Sequence, residues 1–183
     1  MTEHMKAGTK ALELARAFGY LFEYEVLALQ VLAQGLPEHA TGANVGAGAG
    51  TSSLALKESR PDLILYTVDI SPSGPEGGLE NERNAFKDTG LPLPIQILGD
   101  SKQVGRDWDK GKLDFCWIDA GHLEEDIRGD IAAWRPNMKR GGIMAFHDYE
   151  SVFWGDVYKV VNELMSDCTL ILRVDTLIAF RVA

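Results

Sequence analysis

Cysteine is scarce in this chain: among 183 residues there are only Cys116 and Cys168. Both sit inside apolar stretches, with no CxxC and no Cys/His ligand spacing. That excludes a disulfide framework and a thiolate metal centre, and leaves two reduced core thiols. Basic residues are short as well, 18 Lys and Arg against 27 Asp and Glu, for a formal net charge of −9 and a pI near 4.9. Phosphate backbones are gripped mainly by Lys and Arg, so no nucleic-acid partner is expected and a small-molecule acceptor is. No apolar run is long enough to span a bilayer; the most apolar early stretch, residues 20 to 36, is broken by Glu23, Glu25 and Gln30. Met1 to Lys6 lack the apolar core of a signal peptide, which makes the cytoplasm the expected location and a membrane an unexpected partner. Repeats, low-complexity tracts and linkers are missing too, and there is no room for a separate substrate domain. One domain over residues 1–183 is expected, with a helical lead-in over about 1–38 and enough apolar residues for a core on both faces of a sheet.

What the chain does have is a glycine-rich turn, Asn44-Val45-Gly46-Ala47-Gly48-Ala49-Gly50, running straight into Thr51-Ser52-Ser53-Leu54. Glycine at every second position removes the Cβ atoms that keep a backbone away from a ligand, and Thr51 or Ser52 can cap the following helix. Such a turn leaves N–H groups free at a helix start, though close helix–strand packing uses the same residues. About 20 residues on, Leu63-Ile64-Leu65-Tyr66-Thr67-Val68-Asp69 is an apolar run ending in an acid, the spacing at which a βαβ nucleotide unit places a ribose-binding carboxylate. Together the two features predict a nucleoside-containing ligand along the carboxyl ends of a parallel sheet.

Apolar spacing predicts one bent or two short helices from Ala7 to Gln34, with Gly19 as the break and Gly35-Leu36-Pro37 as the stop. The aromatic stripe Phe18, Tyr20, Phe22, Tyr24 is expected in the core, with Tyr20 and Tyr24 as alternative walls of an acceptor pocket. Strands are predicted at 41–45, 63–69, 94–98, 113–119 and 141–146, with helices at 51–59, 79–89, 123–134 and 155–165 between and after them. Two further strands, 169–173 and 177–182, form an antiparallel hairpin. Ser71 to Gly78 is too rich in Pro and Gly for regular structure, and reads as a surface connection or a cover over a ligand. Gly99-Asp100-Ser101 closes the third strand; its acid and hydroxyl can meet a purine amine or merely cap the next helix.

This alternation resembles the class I S-adenosylmethionine-dependent methyltransferases over essentially the whole chain. The carriers are NVGAGAGTSS, LYTVDIS, ILGDS, DFCWIDAGH and RPNMKRGGIMAFHDY, and the last two resemble most closely the small-molecule O-methyltransferase branch. The resemblance implies an α/β, three-layer, doubly wound fold: a mostly parallel seven-stranded Rossmann-like sheet with a C-terminal antiparallel hairpin. It implies S-adenosyl-L-methionine as cofactor, with Asn44, Gly46, Gly48 and Gly50 at the methionine half, Asp69 on the ribose hydroxyls, Asp100 and Ser101 at the adenine, and Asp119 beside them. Asn44 departs from the pattern, since the family usually has an acid there to oppose the cofactor's ammonium group. Thr51 stands where a GxGxxG turn begun at Gly46 would need Gly or Ala, which disfavours a nicotinamide-dependent oxidoreductase.

Transfer of a methyl group to a hydroxyl needs in-line approach and loss of a proton, helped by a base or a metal ion. Asp119, His147 and Asp148 end adjacent central strands and could hold Mg²⁺ or another divalent cation, where His147 replaces the acid that metal-dependent members offer, or could bond loop backbone only. His122, three residues after Asp119, is the candidate base; a helix start disfavours its protonated ring, while Glu124, Glu125 and Asp126 favour it. Trp154 and Tyr149 could wall a sugar or phenolic acceptor or pack under the last helix. The expected function is a SAM-dependent methyltransferase, with a non-catalytic SAM-binding scaffold as the rival reading. The chain is short for a lid of its own, which leaves a second copy as a way to complete the pocket.

Overall fold

The computed structural model describes residues 9–74 and 77–183. The N-terminal hexapeptide, His4, the first two residues of the expected lead-in helix, and Pro75 and Glu76 of the connection after the second strand lie outside the described residues. The chain order is α1 (Thr9–Phe18), α2 (Glu23–Gln34), β1 (Thr41–Val45), α3 (Thr51–Ser59), β2 (Ile64–Asp69), α4 (Leu79–Phe86) and β3 (Ile95–Leu98). It continues through α5 (Ser101–Arg106), β4 (Leu113–Ile118), α6 (Glu124–Trp134), β5 (Met138–Phe146), α7 (Gly155–Leu164), β6 (Thr169–Val174) and β7 (Leu177–Arg181).

The strands form one sheet in the order β3-β2-β1-β4-β5-β7-β6. β1 to β5 pair in parallel, and β7 enters antiparallel between β5 and β6. The expected doubly wound sheet with its closing hairpin is therefore what the chain forms. Every residue of β4 is buried, as a central parallel strand requires. Its side chains alternate: Phe115 and Trp117 pack with Leu29 of α2 and Leu54 of α3, while Cys116 and Ile118 pack with Ile131 of α6 and Val160 of α7. This period-2 alternation makes the three layers.

The lead-in is two helices. Gly19, at φ +70°, breaks the run at the expected place. The turn swings the aromatic stripe outward: Phe18, Tyr20, Phe22 and Tyr24 are each half exposed or more, and they stack in pairs. They are surface residues, against the core placement their apolarity suggests, because the buried face of α2 is carried by Val26, Ala28, Leu29 and Leu32. No helix among the described residues is long and apolar enough to cross a membrane.

Candidate active site

The reversal of strand order falls between β1 and β4, and the carboxyl ends of these strands are bound backbone to backbone. Asp119 N–H donates to Val45 O (2.9 Å), Gly46 N–H to Val68 O (2.9 Å), and His147 N–H to Ile118 O (3.1 Å). Gly46 has φ +99°, and a Cβ there would lie 1.9 Å from Asp119 O. Only glycine lets β1 turn this close to β4. Ala47 N–H donates to Asp69 Oδ2 (2.7 Å) and Ser71 N–H to Asp69 Oδ1 (2.7 Å). The turn, Asp69 and Asp119 thus share one rim.

The three glycines do different things. Beside Gly48 there is open space, with nothing within 4 Å of a Cβ built on it. Among the described residues, neither the Gly48 nor the Ala49 amide has an acceptor. Gly50 is the helix N-cap in place of the expected hydroxyl residue, and a Cβ on it would be 2.9 Å from Ala85 and Glu82 of α4. Gly50 serves packing, and Gly48 is the glycine with open space beside it. The connection after β2 returns across the turn, Gly78 N–H donating to Gly48 O at 2.9 Å.

Asn44, expected beside the cofactor, is fully buried and turned inward. Its amide donates to Gly46 O (3.0 Å) and Ser53 Oγ (2.9 Å) and accepts from Ser52 Oγ (3.2 Å). Ser53 and Thr67 hydroxyls in turn donate to the buried Glu82, whose carboxyl is pushed up by burial, partly offset by these bonds and by Gln96. Asn44 holds the turn from behind. Asp100 caps α5, accepting from Gln103 N–H at 2.9 Å, and Ser101 Oγ donates to Asp130 Oδ1 at 2.5 Å. The capping alternative is the one their geometry displays, with Asp100 Oδ2 remaining near Lys102 at 3.9 Å.

Asp130, which its sequence context puts with Glu124, Glu125 and Asp126 on a solvated face of α6, is instead fully buried, with no partner for Oδ2 among the described residues. Burial pushes its carboxyl up to about 6, against the pull of Ser101 and Lys102. A raised carboxyl means that the folded chain holds a proton which the unfolded chain releases near pH 4. Stability therefore falls as pH rises from about 4 to about 6, by on the order of 3 kcal/mol. Asp130→Asn is expected to remove that fall, so urea unfolding at pH 4.5 and pH 7 should show the variant gaining on the native chain at the higher pH.

At the ends of β4 and β5 stands a cluster of two acids and two histidines. Asp148 has φ +57°, a backbone region non-glycine residues seldom take. Its Oδ2 lies 2.8 Å from His122 Nε2 and 3.2 Å from His147 Nδ1; Asp119 Oδ1 lies 4.0 Å and 3.4 Å from the same atoms. The His122–Asp148 contact is short but off the ring N–H direction. Asp148 raises the His122 ring, more than burial lowers it, which decides a sign that the neighbouring acids and the helix start left open. His122 stacks on Trp154, ring centroids 4.7 Å apart. Tyr149 instead is buried, its hydroxyl donating to Asn162.

His147, expected as a metal ligand, is placed differently. Its Nε2 is 3.2 Å from Glu25 Oε2, so carboxylates flank both ring nitrogens. Burial pulls the ring down, but Asp119, Asp148 and Glu25 together push it up to about 12. Acids on both sides of the ring favour its doubly protonated form, which has no lone pair for a metal. Asp148 is correspondingly held well below the usual carboxylate range: burial raises it, and the two histidines overcome that. The residues whose donor atoms do converge are Asp119, His122 and Asp148, one atom from each lying within 4.8 Å of the others.

Ile70, directly after Asp69, is 73% exposed, and Leu98, paired with Asp69 in the sheet, is 59% exposed. Apolar side chains left bare at strand ends beside a carboxylate suit the face of a flat ring. A cavity of about 500 Å³ lies at the opposite end of the sheet, lined by Ile131, Pro136, Met138 and Leu164 with Arg135 and Arg140. It holds no acid or base for proton transfer.

A family model described as a methyltransferase domain matches residues 41–149, more than half of the chain. The chain belongs to this methyltransferase-domain family. The matched stretch runs from the first residue of β1 through the glycine turn, Asp69, Asp119 and His122 to the residue after Asp148. The same methyltransferase fold recurs in solved structures. A Corynebacterium glutamicum protein from a structural genomics programme is 16% identical, with a TM-score of 0.75 over 100% of this chain and 92% of its own. The O-methyltransferase TomG from Streptomyces achromogenes, solved with SAM, is 18% identical, with a TM-score of 0.71 over 100% and 91%. The methyltransferase PaMTH1 from Podospora anserina, bound to SAH, is 15% identical, with a TM-score of 0.73 over 100% and 89%. At these identities the likeness is one of fold. No curated protein matches the chain.

Proposed function

We propose that this methyltransferase domain transfers a methyl group from S-adenosylmethionine to a hydroxyl of a small acceptor such as a sugar or a phenol. The observation that carries the reading is the single rim on which an open glycine turn and Asp69 meet the Asp119–His122–Asp148 cluster. The residues suit the cofactor: Gly48 leaves room, its amide and that of Ala49 are available, and Asp69 stands with the exposed Ile70 where a nucleoside would lie. When bound, the sulfonium donor supplies the activated methyl group. The chain's part is alignment of the acceptor oxygen and removal of its proton. The His122 ring is the proton acceptor, and Asp148, 2.8 Å from its Nε2, stabilises the imidazolium that results. Trp154 fixes the plane of that ring by stacking on it. Isothermal titration with S-adenosylhomocysteine tests the reading: saturable one-site binding is expected, and no heat at millimolar ligand would sink it.

A second reading gives Asp119, His122 and Asp148 to a divalent ion, which their spacing fits. Such an ion would increase the acidity of an acceptor hydroxyl, and His122 could then no longer be the base. The His147 imidazolium, 3.2–3.4 Å from both carboxylates, opposes a second cation there. Removal of divalent ions with EDTA is therefore expected to change turnover by less than about threefold, a small effect beside the decades contributed by a general base. Loss of turnover restored by Mn²⁺ or Mg²⁺ would favour the second reading.

A further inference from the structure

Glu25 is fully buried on α2, 122 positions away from His147 in the chain. Its Oε2 accepts from Phe22 N–H at 2.8 Å and lies 3.2 Å from His147 Nε2. Its Oε1 accepts from Thr176 N–H (3.0 Å) and Thr176 Oγ1 (2.7 Å), in the turn between β6 and β7. An acid that only capped a helix would sit at the surface and face water. This one is sunk beneath the rim, and its contacts do not stop at His147: the far nitrogen of that ring stands between Asp119 and Asp148, which in turn flank His122. Without Glu25, His147 would keep one buried N–H with no acceptor, a loss that buried polar groups rarely tolerate. The ring would turn or lose that proton, and Asp119 and Asp148 would be left as two like charges with nothing fixed between them.

We propose that Glu25 is a positioning residue: by holding His147 at Nε2 it keeps the Nδ1–H between Asp119 and Asp148, and so sets where those two carboxylates stand around His122. Glu25 touches neither the open space at Gly48 nor His122 itself. Its influence passes through two contacts. The alternative is that Glu25 only staples α2 to the β6–β7 turn, a task that its bonds to Thr176 would perform alone.

The test uses the full chain with ¹⁵N-labelled histidine. Its four histidines make a spectrum in which each ring can be assigned by substitution. Glu25→Gln keeps size and one acceptor but removes the charge, and is expected to shift the ring signals of both His147 and His122. Thr176→Val removes the hydroxyl bond of the staple, leaving the backbone one, and keeps the His147 contact; it is expected to leave His122 where it was. A folded Glu25→Gln chain that moves only the His147 signals would overturn the proposal, as would Thr176→Val moving His122 just as far. If Glu25→Gln does not fold, Glu25→Asp, which retains the charge and withdraws it by one methylene, is compared with Thr176→Val in the same way. The proposal rests on the methyl-transfer reading for its importance, and titration of S-adenosylhomocysteine into the native chain separates the two. Failure to bind counts against methyl transfer, whereas an unmoved His122 counts against Glu25.

Discussion

Gly46→Ala is expected to unfold the chain or lower its melting temperature by about 10 °C, whereas Gly48→Ala keeps the fold and loses the ligand. The two glycines are two residues apart, and a methyl group on each meets opposite surroundings. At Gly46 it would enter Asp119 O at 1.9 Å, from a backbone held at φ +99°. A backbone oxygen in a sheet cannot step aside, because Asp119 N–H is bound to Val45 O and the strands on either side are fully paired. The φ strain is about 1–3 kcal/mol. With the overlap added, the substitution joins the rare class above roughly 4 kcal/mol, a large share of a total stability of about 5–15 kcal/mol. At Gly48 the methyl meets nothing within 4 Å, and φ +49° lies in the left-handed region that alanine takes for about 1–2 kcal/mol. The fold should lose only a few degrees. The space that the methyl fills is the space proposed for the donor, so affinity for S-adenosylhomocysteine should drop at least tenfold, about 1.4 kcal/mol or more. Calorimetry and titration on the two variants check this directly. A Gly48→Ala chain that binds as well as the native one would move the donor site off the turn.

The same pair shows how far the amino-acid sequence could be read. The glycine run, the acids closing β2 and β4 and the all-apolar β4 are local signals with fixed spacing, and they led to a parallel sheet with the turn, Asp69 and Asp119 on one rim. Which glycine meets the ligand and which meets a neighbouring strand depends on what lies across from it, Asp119 for one and α4 for another. Spacing does not carry that. Asn44 and His147 were misplaced for a related reason: each ends a strand where a ligand residue belongs, yet each is turned inward to partners distant in the chain, Ser53 and Glu25. Glu25 did leave a trace. It lies four residues before Leu29, on the buried face of α2, where an unpaired carboxylate could not stand. An acid on an apolar stripe demands a partner, but only the fold names it.

His122→Ala is expected to slow methyl transfer by about 10²- to 10⁴-fold, the usual contribution of a positioned general base, with affinity for S-adenosylhomocysteine held within about threefold. Affinity survives because the ring stands by Asp119 and Asp148, while the open space for the donor lies at Gly48. The pH dependence supplies a separate sign. Asp148 holds the His122 ring above its ordinary value of 6.5, so at neutral pH part of the native enzyme carries a proton where it needs a lone pair. The native rate should therefore climb with pH through a midpoint above 6.5, and the climb should vanish in His122→Ala. Asp148→Asn removes the largest cause of the raised value and should bring the midpoint down towards 6.5, while lowering the plateau because the imidazolium loses its counter-charge. Rate measurements on the three proteins at saturating donor decide the matter. A pH climb that persists without His122 would assign the proton to another group, and equal losses of rate and of donor affinity would make His122 part of the binding site instead of the base.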